Sequence, residues 1–298
     1  MPTPLVSVVV PNYNHAHYLK QRIESILSQT FQDFELILLD DCSTDGSHDI
    51  LEGYRDNPHV SHLVYNETNS GSAFRQWKRG IELAQGEWIW IAESDDYAEP
   101  SFLEEMLSTA NHHPSCSIVA STPLYVYPDG STWHLSPEGT RLVPGQVFAR
   151  QHLINCNSLP NASALLLRKS AITTDALDSI TNMRLCGDWM LYAHCCHTGD
   201  ILLTDKTLSS FRQHGDNTSS SAEKQGLSIT EGVEVLDHIR HTFHVSSNSY
   251  ARNWGRTWAK LERRHHYTKP IRSAIRKSMK GHPAIQAWHT IYRIKLAL

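Results

Sequence analysis

Glu87-Trp88-Ile89-Trp90-Ile91-Ala92-Glu93-Ser94-Asp95-Asp96-Tyr97-Ala98-Glu99-Pro100 passes from an apolar run into three carboxylates within four positions. Trp88 to Ala92 is aromatic and β-branched, the composition of a buried strand. Glu93, Asp95 and Asp96 then crowd like charges at the strand's end, where they repel. A hard divalent cation carrying a phosphate-bearing substrate would relieve that repulsion. On this stretch alone, a solvated strand exit reads equally well, with an acidic start to a helix over Phe102 to Thr109 after Pro100.

The preceding sequence places this strand fourth in a series. Leu5 to Val10, Phe34 to Leu39 and Val60 to Tyr65 read as buried strands. Helices are predicted between them: His15 to Thr30 with an apolar stripe, a capped segment from Ser43-Thr44 to about Tyr54, and Ala73 to Ala84 closed by Gly86. This β-α alternation predicts a doubly wound, mostly parallel sheet, whose ligands bind outside the carboxyl ends of the strands. Pro11–Asn14, Asp40–Asp41 and Glu93–Asp96 all fall at such ends, so they are expected to converge on one crevice.

Beyond Pro100 the alternation loosens. Ser117 to Tyr127 reads as one strand before an Asp129-Gly130 turn. Ser131 to Gly145 reads as irregular, Gln151 to Cys156 as a short helix, Ser163 to Leu167 as a strand and Ser170 to Leu177 as a helix. A helix opens at Leu185-Cys186-Gly187-Asp188-Trp189. Ile201 to Leu203 and Leu208 to Arg212 are short strands, and a polar loop runs from His214 to Ser219. From Ser221 the chain is expected to be helical: about 229–244, 250–264, 271–279 and 284–296.

Composition bounds the function. The 298 residues, 40% hydrophobic, can bury a large core. No run approaches the roughly 18 apolar residues of a membrane span, and Met-Pro-Thr-Pro lacks the basic start of a signal peptide. The six cysteines (42, 116, 156, 186, 195 and 196) show no paired spacing and read as free thiols in a reducing, cytoplasmic compartment. His194-Cys195-Cys196-His197 fails as a zinc site because contiguous helical side chains diverge. The net charge of −4 conceals an asymmetry: region 250–298 holds twelve Lys and Arg against Glu262 alone, +11, leaving fifteen cations and thirty acids, −15, elsewhere. The basic tail interleaves Trp254, Trp258, Trp288, Ile291, Tyr292 and Ile294 with its cations. It reads either as solvated helix faces packed on the acidic body or as an anchor for an anionic membrane surface. No nucleic-acid motif accompanies it, so nucleic acid is not an expected partner.

The chemistry is narrowed by what is missing. There is no G-x-G-x-x-G after the first strand and no G-x-x-x-x-G-K-[ST], which argues against a dinucleotide dehydrogenase and a P-loop NTPase. A carboxylate-held Mn²⁺ or Mg²⁺ is then the economical way to neutralise phosphate.

Val8-Val9-Val10-Pro11-Asn12-Tyr13-Asn14, Gln29-Thr30-Phe31 with Asp33-Phe34-Glu35, Asp40-Asp41-Cys42-Ser43-Thr44-Asp45-Gly46, and Glu93-Ser94-Asp95-Asp96 with Pro100 resemble, in order and spacing, the family 2 glycosyltransferases with the GT-A fold. The likeness continues more loosely through Asp188 and Phe211-Arg212-Gln213-His214. It implies an α/β GT-A-type mostly parallel sheet flanked by helices, with a C-terminal helical extension. The implied domains are 1–221 for transfer (1–97 nucleotide-binding, 98–221 acceptor) and 222–298 for the basic helices. It implies that Pro11, Tyr13, Asp41, Arg75 and Asp95 bind the nucleotide. It further implies that Asp95, Asp96 and His214 serve the metal, and that Asp188 is the general base of an inverting transfer. The donor would be a nucleotide sugar, UDP-linked, and the acceptor a glycan or lipid-linked hydroxyl in cell-surface polysaccharide synthesis. Residue by residue, Asp188 alone also reads as a helix-start carboxylate, His214 as a structural loop histidine, Tyr13 as strand-end packing and Arg75 as a surface ion pair. A nucleotidyltransferase and a catalytically weak glycan-binding or scaffolding relative are the competing readings.

Three departures from the family pattern carry expectations. Glu93 stands where Asp is usual, and its longer side chain should retreat from the metal. Cys42 stands where Gly is common, which is tolerable at negative φ. Gly187-Asp188 replaces a frequent acidic pair.

Overall fold

Two seven-residue strands buried at every position, β1 (Val6–Asn12) and β2 (Phe34–Asp40), form the middle of the parallel part of the main sheet. The computed structural model describes residues 3–135, 139–159, 161–214, 222–245 and 249–297. Helices α1 (Ala16–Leu27), α2 (Ser47–Glu52) and α3 (Ala73–Leu83) alternate with β1, β2, β3 (Val60–Tyr65) and β4 (Trp88–Ile91). The order β3-β2-β1-β4 is parallel throughout. The chain builds outward to β3, then returns to the other side of β1. That reversal leaves a crevice at the carboxyl ends of β1 and β4.

The strands are apolar throughout because both faces are covered. On one face, Val8, Val10, Leu36, Leu38 and Trp90 pack with Leu19, Ile23 and Ile26 of α1. On the other, Val9, Ile37, Leu39 and Ile91 pack with Phe74 and Trp77 of α3.

The second half is more mixed than its sequence reading. Chain order continues with β5 (Tyr97–Ala98), α4 (Phe102–Asn111), β6 (Cys116–Ala120), β7 (Pro123–Val126), β8 (Thr132–Trp133), β9 (Arg141–Val143) and α5 (Gly145–Phe148). It then runs through β10 (Leu165–Arg168), α6 (Thr174–Ile180), α7 (Gly187–Thr198), β11 (Asp200–Leu203) and β12 (Ser209–Arg212). The main sheet extends as β4-β10-β6-β11-β9, with β10 antiparallel to both neighbours. A second sheet has the order β5-β12-β7-β8.

The predicted strand Ser117 to Tyr127 is therefore two. Its backbone changes partners at Ser121, whose N–H donates to Ala164 O (2.9 Å), and Thr122, whose N–H donates to Lys206 O (3.0 Å). Region 131–145, read as irregular, holds β8 and β9, which are too short to show a period of two. The helix expected from Gln151 begins earlier, at Gly145, and closes as a π turn over Ala149–Leu153. That expected from Ser170 begins at Thr174, because Thr173 Oγ1 caps it by accepting from Ala176 N–H at 3.1 Å. Most of the polar loop read from His214 to Ser219, and the boundary at 221, lie outside the described residues.

Among the described residues, helices follow where the sequence predicts them, at Leu227–Thr242, Ser249–His265, Lys269–Ser278 and Pro283–Ala297. They share the apolar core of the α3 face: Trp254 stacks on Trp189 of α7 with centroids 5.6 Å apart and planes at 4°.

Candidate active site

At the end of β2, Asp40 closes the turn. It accepts from Asn12 Nδ2 (2.8 Å) and Ser43 N–H (2.9 Å). The turn forces Cys42 to φ 64°, the left-handed region, so the condition under which a side chain is tolerated there without strain is not met. Asp41 is buried and satisfied by neutral donors. Its Oδ1 accepts from Asn66 Nδ2 (2.6 Å), Ser70 N–H (2.9 Å) and Gln76 Nε2 (2.8 Å), and its Oδ2 from Ser70 Oγ (2.8 Å). Gln76 Oε1, turned away from that bond, is buried without a partner among the described residues. Pro11, Tyr13, Asp41 and Gln76 line a cleft of about 270 Å³. Tyr13 is 47% exposed at its mouth.

The cleft continues past His15, Ala73, Glu93 and Arg184 into a second chamber of about 180 Å³, lined by Asp95, Asp96, Asp188, Trp77 and Phe211. Here the β4 acids meet three different fates. Glu93 Oε1 accepts from Trp77 Nε1 at 2.8 Å, and burial followed by the Asp95 and Asp96 charges pushes its carboxyl up to about 8. Asp96 turns inward, accepting from Asn161 Nδ2 (3.0 Å) and Arg212 N–H (3.0 Å), and burial with the Asp95 charge lifts it to about 6. Asp95 faces the cleft, where His214 Nε2 lies 3.0 Å from its Oδ2. Burial acts to raise Asp95, but the His214 hydrogen bond and the charges of His15 and His214 prevail and hold it below the usual carboxylate range.

His15, Asp95 and His214 each bring one ligand atom within 4.8 Å of the others, the one such grouping among the described residues. One carboxylate and two imidazoles form a donor set that suits Mn²⁺ better than Mg²⁺, which prefers oxygen. The residues present thus fit a divalent metal. Asp96, expected beside Asp95, stands outside the grouping, and His15 stands in it. Sequence reading missed His15 because it sits at the start of α1, where a polar residue reads as a helix boundary.

Behind the acids lies Arg22. It belongs to the buried stripe of α1, its guanidinium has no hydrogen-bond partner among the described residues, and it lies 4.9 Å from the Trp90 ring centre. Burial lowers it to about 10, against the pull of Asp96, Glu93 and Asp95. It is a buried positive charge within electrostatic reach of the crowded strand end, with no ion pair to any of its three carboxylates among the described residues.

Asp188 opens α7 and faces the same chamber. It accepts from Asn157 Nδ2 (2.7 Å) and from Trp189 N–H (2.7 Å), yet burial outweighs both and lifts it to about 7. A Cβ at Gly187 would lie 2.5 Å from the Phe74 ring, so the packing here leaves no room for a side chain. Arg75 does not line the chamber. It donates to Thr181 O (3.1 Å) and Ser70 O (2.8 Å), while Arg184 supplies the cation lining both parts of the cleft.

Two of the basic tail's tryptophans are spent on packing, while Trp288 and Tyr292 stay half-buried. Trp254 and Trp258 are buried, Trp254 Nε1 donates to Ile154 O at 3.1 Å, and Trp258 stacks on His289 at 3.6 Å. Neither tryptophan is available to a membrane; Ile291 and Ile294 are the exposed large apolar residues of that region among the described residues. No described helix is long and apolar enough to cross one.

Known proteins agree with this architecture. The putative teichuronic acid biosynthesis glycosyltransferase TuaG of Bacillus subtilis is 41% identical over 104 residues, 35% of this chain and 41% of that protein. A chondroitin synthase of Escherichia coli is 28% identical over 269 residues, 87% of this chain and 37% of that protein. The chain therefore spans less than half the length of these curated relatives. The crystal structure of S. aureus TarS 1-349 in complex with UDP-GlcNAc superposes with a TM-score of 0.63 at 19% identity, covering 97% of this chain and 89% of that one. The fold is thus the GT-A type that the motifs implied. Residues 7–173 match the model of glycosyl transferase family 2, and the chain belongs to that family.

Proposed function

We propose that the chain is an inverting, metal-dependent glycosyltransferase. It moves a sugar from a nucleotide donor to a hydroxyl of a glycan or lipid-linked acceptor in cell-surface polysaccharide synthesis. One observation carries the reading: nucleotide-side groups and reaction-side groups line one continuous cleft. The relatives named for teichuronic acid and chondroitin support the polymer product, and the TarS complex with UDP-GlcNAc supports a uridine diphosphate donor.

Tyr13 offers its ring to the base, while Asp41 and the unpartnered Gln76 Oε1 present acceptors to an imide N–H. Arg184 faces the diphosphate. His15, Asp95 and His214 would hold a divalent cation, with Asp96 as their buried support. A bound cation supplies the charge that stabilises a departing diphosphate. Asp188 takes the proton of the acceptor hydroxyl as the oxygen forms its bond to the anomeric carbon. The bond from that carbon to the diphosphate oxygen breaks on the opposite face, which inverts the centre. A base held near 7 is matched to that task at neutral pH. We assign the nucleotide to 1–97 and the acceptor to 98–221. Region 222–298 turns its exposed cations, with Ile291 and Ile294, to an anionic membrane on the cytoplasmic side.

Calorimetry with Mn²⁺ across a panel of UDP-sugars, on wild type and Asp188→Asn, tests the reading. Both should bind one donor, and the variant should retain only a small residue of the wild-type transfer. Undiminished transfer by Asp188→Asn would remove that residue as base.

A further inference from the structure

Phe211, Tyr125 and Trp133 stand directly opposite one another on three neighbouring strands, β12, β7 and β8. Residues in register across paired strands project from one face. Their rings form a row: Phe211 to Tyr125 is 5.4 Å between centroids and Tyr125 to Trp133 is 5.2 Å. The row is graded in exposure. Phe211 lines the chamber that holds Asp95 and Asp188. Tyr125, half-buried, lines an adjoining cavity of about 260 Å³ that shares Asn161 with that chamber. Trp133 is 49% exposed at the outer edge.

Packing does not account for this arrangement, since none of the three rings belongs to either apolar core. Nor are the polar walls complete. Asn161 Oδ1 and Ser158 Oγ, both lining the cavity, are buried without partners among the described residues. Buried polar atoms are normally satisfied, so these two call for a polar ligand. Aromatic faces carry negative potential and favour apolar C–H groups bearing slight positive charge. A pyranose ring presents that kind of face, with hydroxyls at its rim for groups such as Asn161 and Ser158.

We propose that this row and its cavity are the acceptor track for an extended glycan chain. The accepting end sits at Asp188, and the preceding rings stack along Tyr125 and Trp133. The proposal rests on the glycosyltransferase reading and adds to it the polymeric nature of the acceptor and the surface that measures its length.

Wild type, Trp133→Ala and Trp133→Phe are compared, without donor, on an array of linear hexose and N-acetylhexosamine oligosaccharides from disaccharide to octasaccharide. Wild type should bind longer chains more tightly. Trp133→Ala should lose roughly tenfold on the octasaccharide and nothing on the disaccharide, as expected from one lost ring stack. Trp133→Phe should recover most of the loss. Trp133 is at an exposed edge, so its removal leaves the fold intact, which donor calorimetry on the same variants verifies. Identical length dependence in wild type and Trp133→Ala overturns the track, as does a wild type that binds no oligosaccharide. A Trp133→Ala chain that instead loses self-association in light scattering also overturns it, by assigning the edge to a second copy. Loss of donor binding in a wild type that retains length-dependent glycan binding would sink the enzyme reading and leave the track standing.

Discussion

Two groups of carboxylates sit at the ends of the strands that flank β1, and they are handled in opposite ways. Asp41, after β2, is surrounded by neutral donors from Asn66, Ser70 and Gln76. Its charge is settled within the fold. The β4 group is unfinished. Glu93 and Asp96 are pushed towards neutrality by burial and mutual repulsion, Arg22 lies buried behind them, and Asp95 faces two histidines. The lesson is that acidic residues in equivalent topological places need not have equivalent jobs. A carboxylate already surrounded by donors shapes a site; one left facing imidazoles is poised for a cation.

Replacing one member of each group gives the largest expected effect. Asp95→Ala should lower transfer roughly a thousandfold, since a phosphate-neutralising cation contributes several kcal/mol. Mn²⁺ binding by calorimetry should vanish, while Tm stays close to level, because relief of Glu93 and Asp96 is offset by loss of a carboxylate whose charge His214 and His15 favour. Asp41→Asn should behave in reverse. It should keep Mn²⁺ binding and lose about 1–3 kcal/mol of stability in urea titration, because an amide group would face donors that an acceptor had satisfied. If Asp95→Ala keeps its metal, or if both variants lose stability alike, the contrast fails.

Asp188 sharpens the same contrast through pH. Transfer requires its ionised form, and burial holds the carboxyl near 7, so log kcat should climb with pH below about 7 and level off above it. Each unit below that point costs about tenfold. Stability should run the other way. The pKa is raised in the fold, so the neutral form is favoured there. The stabilisation is full below the ordinary carboxylate value and is lost as pH rises towards about 7. Asp188→Asn should therefore melt above wild type at pH 8 while its residual activity loses the pH dependence. A wild-type profile flat between pH 5 and 8 would move the base elsewhere.

These contrasts were only partly legible in the chain. The four parallel strands announce themselves, because runs such as Val6–Asn12 and Phe34–Asp40 must be apolar on both faces. Asp41, Asp95 and Asp188 could be singled out because they stand at element ends. His15, Arg22, Gln76 and Arg184 could not. Their importance lies in which face of a helix or loop meets the cleft, and position along one element does not reveal that. Arg22 even sits inside an apolar stripe, where a cation reads as an error in the pattern. The basic tail shows the converse limit. Aromatic and cationic residues at helical spacing describe a helix on a membrane and a helix on a protein core equally well. Trp254 met Trp189 instead.

The smallest expected effect tests how far the Asp40–Asp41 turn is strained by its own sequence. Asp40 accepts from Ser43 N–H at 2.9 Å, and between them Cys42 is held at φ 64°. A side chain in that region costs about 1–2 kcal/mol, which glycine avoids. Glycine also gains freedom in the unfolded chain, which returns about 0.4–1 kcal/mol of that benefit. Cys42→Gly should therefore stabilise the protein by roughly 0.5–1 kcal/mol, about 1–2 °C in Tm. Donor affinity should not change, because the Asp41 carboxylate is held by residues outside the turn. A fall in Tm would mean that the Cys42 thiol, 3.6 Å from Glu67 O, contributes more than the backbone loses by carrying it. In that case the turn of the settled carboxylate would owe its shape to a side-chain contact, as the β4 group does.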